Sequence, residues 1–307
     1  MTRRLPPPGA VFRWSCLPQP ERLLELAESA ASSPANAAEL CDEFSAIITS
    51  IWINDVNKRT ARGRLPLTLS AIVDALPRGI EKVRCLDLGA SDGVSTHDLV
   101  CLLREQLRVP VSACAVDLHT RLIRHDGRWL REYRTSDGSP VLLRVGPIGL
   151  RLGRTLSFPP AELCRTLYLQ WRRLRAGLRP AQVIPLIHPL AAGDPDITVR
   201  EADALQHCPR FAGAFEVVRI SNLLNLSYFS RSEIEQIVGH AVTYLAESGL
   251  LVLSKNQPNG GATAERGSVW RRTGAGLRRV CDFNGGFELR DWLRQFEAGE
   301  TAARAAA

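Results

Sequence analysis

The residues of this chain whose types and spacing could do chemistry lie in Leu86-Asp87-Leu88-Gly89-Ala90-Ser91-Asp92-Gly93. This segment joins a short apolar run, Val83–Leu88, to a helical pattern from Val94 to Leu107. Gly89 allows the backbone a sharp turn. Small Ala90 and Ser91 let a ligand lie against the main chain, and the helix beyond offers N–H groups that its own backbone leaves unpaired. In an open parallel sheet, ligands bind beyond the carboxyl ends of the strands, so such a turn reads as a nucleotide or nucleoside site. Spacing narrows the choice. A dinucleotide fingerprint needs Gly-x-Gly-x-x-Gly, whereas the small residues here fall at Gly89, Ser91 and Gly93, which disfavours a nicotinamide-dependent dehydrogenase. A phosphate-binding P-loop is excluded because no Gly-Lys-Ser/Thr follows.

Further polar residues stand where apolar runs end. Asp117 closes Val111–Asp117, and Asp203-Ala204 follows the run Asp196–Glu201. Ser221-Asn222-Leu223-Leu224 follows Phe215–Ile220. Ordinary strand-end capping is the plain alternative for Asp87 and Asp117. It does not explain why both follow apolar runs, one of them beside a turn of small residues.

The tight Gly-x-Ser-x-Gly turn with an acid two residues ahead resembles the first motif of the class I, Rossmann-like S-adenosylmethionine-dependent methyltransferases. That resemblance implies S-adenosyl-L-methionine as cofactor, cradled by Gly89, Ala90, Ser91 and Gly93. It implies Asp117 on the two ribose hydroxyls, Asp203 and Ala204 at the adenine, and Ser221 and Asn222 beside the methionine portion. Asp87 would orient the amino end of the ligand, commonly through water. The stretch from Phe215 to Asn256 is also similar to chemotaxis-receptor glutamate methyltransferases: a strand, an Asn, the aromatics Tyr228-Phe229, a helix and a Gly-Leu-Leu strand. It departs from them at Ser221, where they carry arginine, and in the long stretch between Asp117 and Asp203.

Methyl transfer needs alignment more than it needs a base, so no catalytic residue is assigned. His119, Tyr228 and His240 are the candidates, each with the competing reading of a hydrogen-bonded boundary residue. No Asn/Asp-Pro-Pro-Tyr/Phe follows the fourth strand, which speaks against methylation of exocyclic amines of adenine or glutamine.

The elements that must position these residues follow from periodicity. Strand, helix and strand across 83–117 imply a right-handed parallel unit. Strands at Asp196–Glu201, Phe215–Ile220 and Gly249–Lys255 continue it, with a helix from Arg231 to about Glu247 stopped by Ser248-Gly249. Ser95 and Asp98 have the spacing of a capping box for the Val94–Leu107 helix. Ser268–Arg272 and Leu277–Cys281 read as an antiparallel hairpin around Thr273-Gly274-Ala275-Gly276. The expected fold is α/β and doubly wound: a mostly parallel seven-stranded sheet with one antiparallel strand, an N-terminal helical cap and a long insert between strands 2 and 3. Residues 1–80 form the arm and cap, with helices over 21–55 and about 68–76. Residues 81–290 form the cofactor domain, 120–195 the insert, and 291–307 a helix end and frayed tail.

Charge points to the insert. Between Arg121 and Arg179 stand 13 arginines against four acids, a balance of +9, so the rest of the chain carries −2 of the total +7. Ser136-Asp137-Gly138-Ser139 signals a hairpin between 128–134 and 141–145. Residues 160–179 then pattern as a basic amphipathic helix, with Leu163, Leu167, Trp171, Leu174 and Leu178 on one arc. Three readings stand: a lid with solvated arginines, a groove for an anionic small molecule or protein substrate, and peripheral contact with anionic membrane. Nucleic acid is disfavoured as a partner by 6% aromatic content and the lack of any recognisable module, although a non-catalytic module binding nucleic acid or membrane through the insert stays as the alternative function. The eight cysteines and six histidines show no ligand spacing, so no metal is expected and the cysteines read as free thiols. No apolar run of about 18 residues occurs and the basic start runs into prolines, which makes the cytosol the expected compartment. The acceptor and the oligomeric state are left open.

Overall fold

The computed structural model describes residues 11–13, 20–32, 37–53, 56–58, 61–127, 129–146, 148–152, 179–259 and 262–297. It divides into two compact units, one of residues 1–61 with 119–193 and one of 62–118 with 194–307. The basic amphipathic stretch expected over 160–179 falls, up to residue 178, outside the described residues, as do Arg128 and the tail from residue 298.

The second unit carries the expected sheet. Its strands are β1 (Val83–Leu88), β2 (Val111–Asp117), β3 (Ile197–Glu201), β4 (Phe215–Ser221), β5 (Leu245–Asn259), β6 (Ala262–Thr273) and β7 (Gly276–Phe283), in the spatial order β3-β2-β1-β4-β5-β6-β7. The first five pair in parallel. β6 is antiparallel to both of its neighbours. The helices are α1 (Pro66–Ala75), α2 (Val94–Leu107) and α3 (Arg231–Tyr244).

Alternation along the strands shows why both faces are covered. On β1, Val83 and Cys85 join Leu69, Ile72, Leu99 and Leu103 of α1 and α2 in one core. Leu86 and Leu88 join Ile234, Ile237, Val238 and Ala241 of α3 in the other. A strand buried on both sides reads as a continuous apolar run, which is why β1, β2 and β4 were visible in the sequence. The strand order reverses between β1 and β4, and in open α/β sheets ligands bind beyond the carboxyl ends of the strands at such a reversal.

Several boundaries differ from expectation. The capping box at α2 does not form: Gly93 is the N-cap, in the left-handed region, with no side-chain cap. Ser95 Oγ accepts from Arg219 at 3.1 Å, and Asp98 Oδ2 accepts the Gly63 N–H at 2.8 Å. A true capping box forms at α3 instead, between Ser230 and Glu233. That helix stops at Tyr244 and not at Glu247. The stretch to Gly249 belongs to an irregular start of β5, where the pairing with β4 shifts register. A Cβ at Gly249 would lie 2.9 Å from the Ala246 carbonyl and 3.0 Å from that of Phe215, so the local path demands glycine.

The N-terminal helices and the insert, read separately from sequence, build one unit. Six antiparallel strands run in the order Val11–Arg13, Ile148–Arg151, Pro140–Val145, Leu130–Arg134, Arg121–Asp126, Arg179–Pro185. Only the 136–139 hairpin among these was foreseen. Helices Glu21–Ser32 and Ala37–Ser50 close one core, where Leu23, Leu26, Phe44 and Ile48 meet Leu122, Tyr133, Leu142 and Ile184. Arg124 and Arg131 pair with Glu21 and Asp126, and Arg134 pairs with fully buried Glu132. Part of the positive charge counted in the insert is thus neutralised inside its own unit. Among the described residues no helix is long and apolar enough to cross a membrane.

Two measurements test this packing. Glu265 on β6 reaches back to the first turn of α1, accepting the N–H groups of Leu67 at 2.8 Å and Thr68 at 2.9 Å. It does for this helix what an N-cap side chain does, so Glu265→Ala should lower stability by about 1–2 kcal/mol in urea unfolding. Burial pushes the Cys85 thiol up to about 12 and that of Cys114 up to about 11. Thiolate is the reactive form, so at pH 8 both should resist alkylation in the folded protein, exposed Cys101 should label, and all three should label in denaturant when mapped by mass spectrometry.

Candidate functional site

The turn after β1 is held by the neighbouring strand. The N–H groups of Gly89 and Ala90 both donate to the Val116 carbonyl, at 2.8 and 3.0 Å, and that of Ser91 donates to Asp117 Oδ2 at 2.8 Å. Gly89, Ser91 and Gly93 all have positive φ, a region that glycine enters freely and serine seldom does. At Gly89 a second constraint applies: a Cβ would stand 3.0 Å from Leu223 of the β4 loop. The glycine therefore lets the loops after β1 and β4 close on each other.

The first turn of α2 differs from the expectation of open N–H groups. Val94 N–H donates to Asp92 Oδ1 at 3.1 Å, and those of Thr96 and His97 are taken by the Gly93 carbonyl. Asp92 itself is fully buried.

Below the turn lies a charge cluster that sequence did not foretell. Asp87 is 2% exposed and pairs with Arg219 of β4, its register neighbour, which is 0% exposed. Arg219 Nε donates to Asp87 Oδ1 at 3.0 Å, Arg219 Nη2 reaches Asp87 Oδ2, and Thr96 Oγ1 donates to Oδ2 at 2.6 Å. Burial draws the Arg219 guanidinium down, but the Asp87 carboxylate outweighs it and holds the group above its ordinary value. Arg64, just before α1, is also enclosed. Burial draws it below its ordinary value, with Asp92 the main group opposing the shift. The carboxylate expected at the amino end of a ligand is thus engaged inside the protein.

The other named residues take up their places along the same edge. Asp203, just past β3, accepts the Leu205 N–H at 2.9 Å and so closes a short turn. The loop it begins rests on α3: Gln236 Nε2 donates to the Leu205 carbonyl at 2.8 Å, and Tyr244 OH accepts the Cys208 N–H at 2.7 Å. His240 packs there, 3.4 Å from the Ala204 carbonyl and against the His207 ring, so it supports the Ala204 loop. Ser221 and Ser254, the last register pair of β4 with β5, share a 2.7 Å hydroxyl contact. Asn222, with φ 60°, accepts the Asn256 N–H through Oδ1 at 2.7 Å.

Asp117, Gly89, Asp203, Ser221 and Asn222 therefore come together at the carboxyl ends of β2, β1, β3 and β4. Tyr228, in the loop after β4, is 48% exposed. His119 belongs to the other unit, where it is buried and its charge is among the smaller influences keeping Asp137 low, after hydrogen bonds from Thr135 and Ser139. Among the described residues no group of three or more His, Cys, Asp or Glu could hold a metal ion. Sequence reasoning missed Arg219, Arg64 and Asn256. A lone arginine inside the apolar run Phe215–Ile220 was the one available signal. The buried pair predicts that Asp87→Ala, which strands Arg219, costs about 3–5 kcal/mol of stability. Asp87→Asn combined with Arg219→Met should cost clearly less, as read by urea denaturation.

No family model matches the chain, and no curated protein matches it. Solved structures do align. The YcgJ protein of Bacillus subtilis is 11% identical over 62% of this chain and 51% of its own, with a TM-score of 0.29. The methyltransferase domain (CMeT) of the citrinin polyketide synthase is 14% identical over 78% of this chain and 49% of its own, with a TM-score of 0.35. The sugar N-methyltransferase KedS8 of Streptoalloteichus is 13% identical over 78% and 76%, with a TM-score of 0.29. The chain spans about half the length of the first two. Likeness this weak carries no weight, and the fold rests on strand order and pairing alone. The similarity of Phe215–Asn256 to chemotaxis-receptor methyltransferases gains no support from these matches.

Proposed function

We propose that this protein is an S-adenosyl-L-methionine-dependent methyltransferase acting on a small molecule or a protein side chain. One observation carries the reading: Asp203, Asp117, the Gly89–Gly93 turn and Ser221-Asn222 stand in that order at the ends of four adjacent strands. Strands are about 5 Å apart, so this row is a ruler roughly 15 Å long for an elongated ligand with a base, a ribose and a tail. The residues suit such a ligand. Asp117 would accept from the ribose hydroxyls while keeping Ser91 in place, and Asp203 and Ala204 would border the base. The absence of a Cβ at Gly89 keeps the turn close to Leu223, beneath the tail.

When bound, the cofactor would supply an activated methyl carbon to the acceptor, and Asp117, the Gly89–Gly93 turn, Asp203 and Ser221-Asn222 are the residues that would hold it. The protein's part is to fix the direction of approach and exclude water. Tyr228, exposed on the loop after β4, is the described candidate nearest in sequence to the Asn222 end of that row. His240 supports the Ala204 loop from α3, which favours a structural part for it.

Isothermal titration tests the reading. The folded protein should bind S-adenosylmethionine, and Asp117→Ala should weaken binding at least tenfold, as expected for loss of hydrogen bonds to a charged group. Absence of binding, or binding that ignores Asp117→Ala, would remove the enzyme reading. The alternative, a module that holds nucleic acid or anionic membrane through the insert, predicts retention on heparin or anionic vesicles that falls steeply with salt and is indifferent to Asp117.

A further inference from the structure

The Asp87–Arg219 pair leaves a question at the tail end of the ligand row. An amino-acid tail brings an ammonium and a carboxylate, and the one acid aligned for the ammonium by sequence is buried against Arg219 and Thr96. Two amide side chains, on Asn222 and Asn256, have polar atoms to spare.

Asn222 and Asn256 form a linked pair just past the point where the pairing of β4 with β5 ends. Asn222 N–H donates to the Ser254 carbonyl at 2.9 Å, and its Oδ1 accepts the Asn256 N–H at 2.7 Å. Asn256 Nδ2 donates to the Arg64 carbonyl at 3.3 Å. These bonds fix which end of each amide is which, since an oxygen must face an N–H and a nitrogen must face a carbonyl. What remains is one donor group, Asn222 Nδ2, and one acceptor, Asn256 Oδ1. Both atoms are buried, and neither has a hydrogen-bond partner among the described residues. Buried polar atoms are normally satisfied, and leaving one unmade is costly. Two such orphans of opposite character, on residues already joined by the bond from the Asn256 main-chain N–H to Asn222 Oδ1, describe a receptor for a group that both accepts and donates. The pair also lies beside the glycine turn, because Leu223, the residue after Asn222, packs on Gly89.

We propose that Asn222 and Asn256 hold the amino-acid end of the adenosyl ligand, Asn222 Nδ2 donating to its carboxylate and Asn256 Oδ1 accepting from its ammonium. The proposal rests on the reading under Proposed function and assigns the tail to a neutral amide pair in place of Asp87. Arg64 takes part through its backbone carbonyl, which orients Asn256. Gly63 secures that segment through its bond to Asp98.

Two ligands separate this proposal from the reading beneath it. S-adenosylhomocysteine carries the amino-acid tail, whereas 5′-methylthioadenosine has the same nucleoside thioether without it. Titration calorimetry of the full chain should give binding of both to the wild type. Asn256→Ala should weaken S-adenosylhomocysteine about tenfold and leave 5′-methylthioadenosine within about twofold. Asn222→Asp, nearly isosteric, sets a charge against the ligand carboxylate and should weaken S-adenosylhomocysteine by more than tenfold with the same selectivity. Asn256→Asp keeps an acceptor for the ammonium and should retain S-adenosylhomocysteine binding. Unchanged 5′-methylthioadenosine affinity doubles as the check that each variant is folded. Equal losses for both ligands, or S-adenosylhomocysteine affinity that ignores Asn256→Ala and Asn222→Asp, would overturn the amide-pair assignment and leave the broader reading standing. A wild type that binds neither ligand would overturn both.

Discussion

The floor of the candidate site is one buried ion pair, and much of the surrounding geometry answers to it. Asp87 and Arg219 sit side by side on the two central strands, both essentially without solvent. Removing two charges from water carries a large desolvation penalty, which only close contact and extra hydrogen bonds can offset. Thr96 and Ser95 supply those bonds from the first turn of α2. The pair thus joins β1, β4 and α2 at the point where the glycine turn begins. Its demand for partners explains why Ser95 does not cap its own helix.

The same logic decides what the site can present to a ligand. The backbone of the turn is spent on Val116 and Asp117, and the first turn of α2 on Asp92 and Gly93. Main-chain amides, the usual instruments of a glycine-rich loop, are largely committed here. Polar side chains stand instead at successive strand ends, set out in a line by the sheet. Such a row suits an elongated ligand with polar groups at intervals better than a compact phosphate.

Where the fold was legible in the sequence, one physical reason covers it. β1, β2 and β4 are largely buried on both faces, so their runs are mostly apolar, and the small residues of the turn mark the strand-to-helix passage. The Thr273–Gly276 hairpin was visible because turn chemistry is local. Partners distant in sequence were not. Arg219 reads as an anomaly in an apolar run until Asp87, 132 residues away, is set beside it. Asp98 looked like a cap because nothing nearby announces Gly63. The antiparallel unit was hidden for a related reason. Arg121–Asp126 and Leu130–Arg134 carry charges on both faces that are neutralised within the unit, so no alternation betrays a strand, and Val11–Arg13 pairs with residues more than a hundred positions on. Asn256 gave no signal of its own, since an asparagine near the end of a strand is commonplace.

The way the two units interleave along the chain has a consequence for biosynthesis. The central strands β1 and β2 leave the ribosome within residues 62–118, but the polypeptide then completes the other unit, through Gly193, before β3 and β4 are made. At about 5–20 residues per second, Arg219 emerges roughly 7–26 s after Asp87. During that interval the nascent centre of the sheet has an uncompensated carboxylate and no strand on its β4 side, while its sister unit already has all its segments. Translation speed between residues 119 and 215 therefore sets how long the unfinished half must be shielded from aggregation.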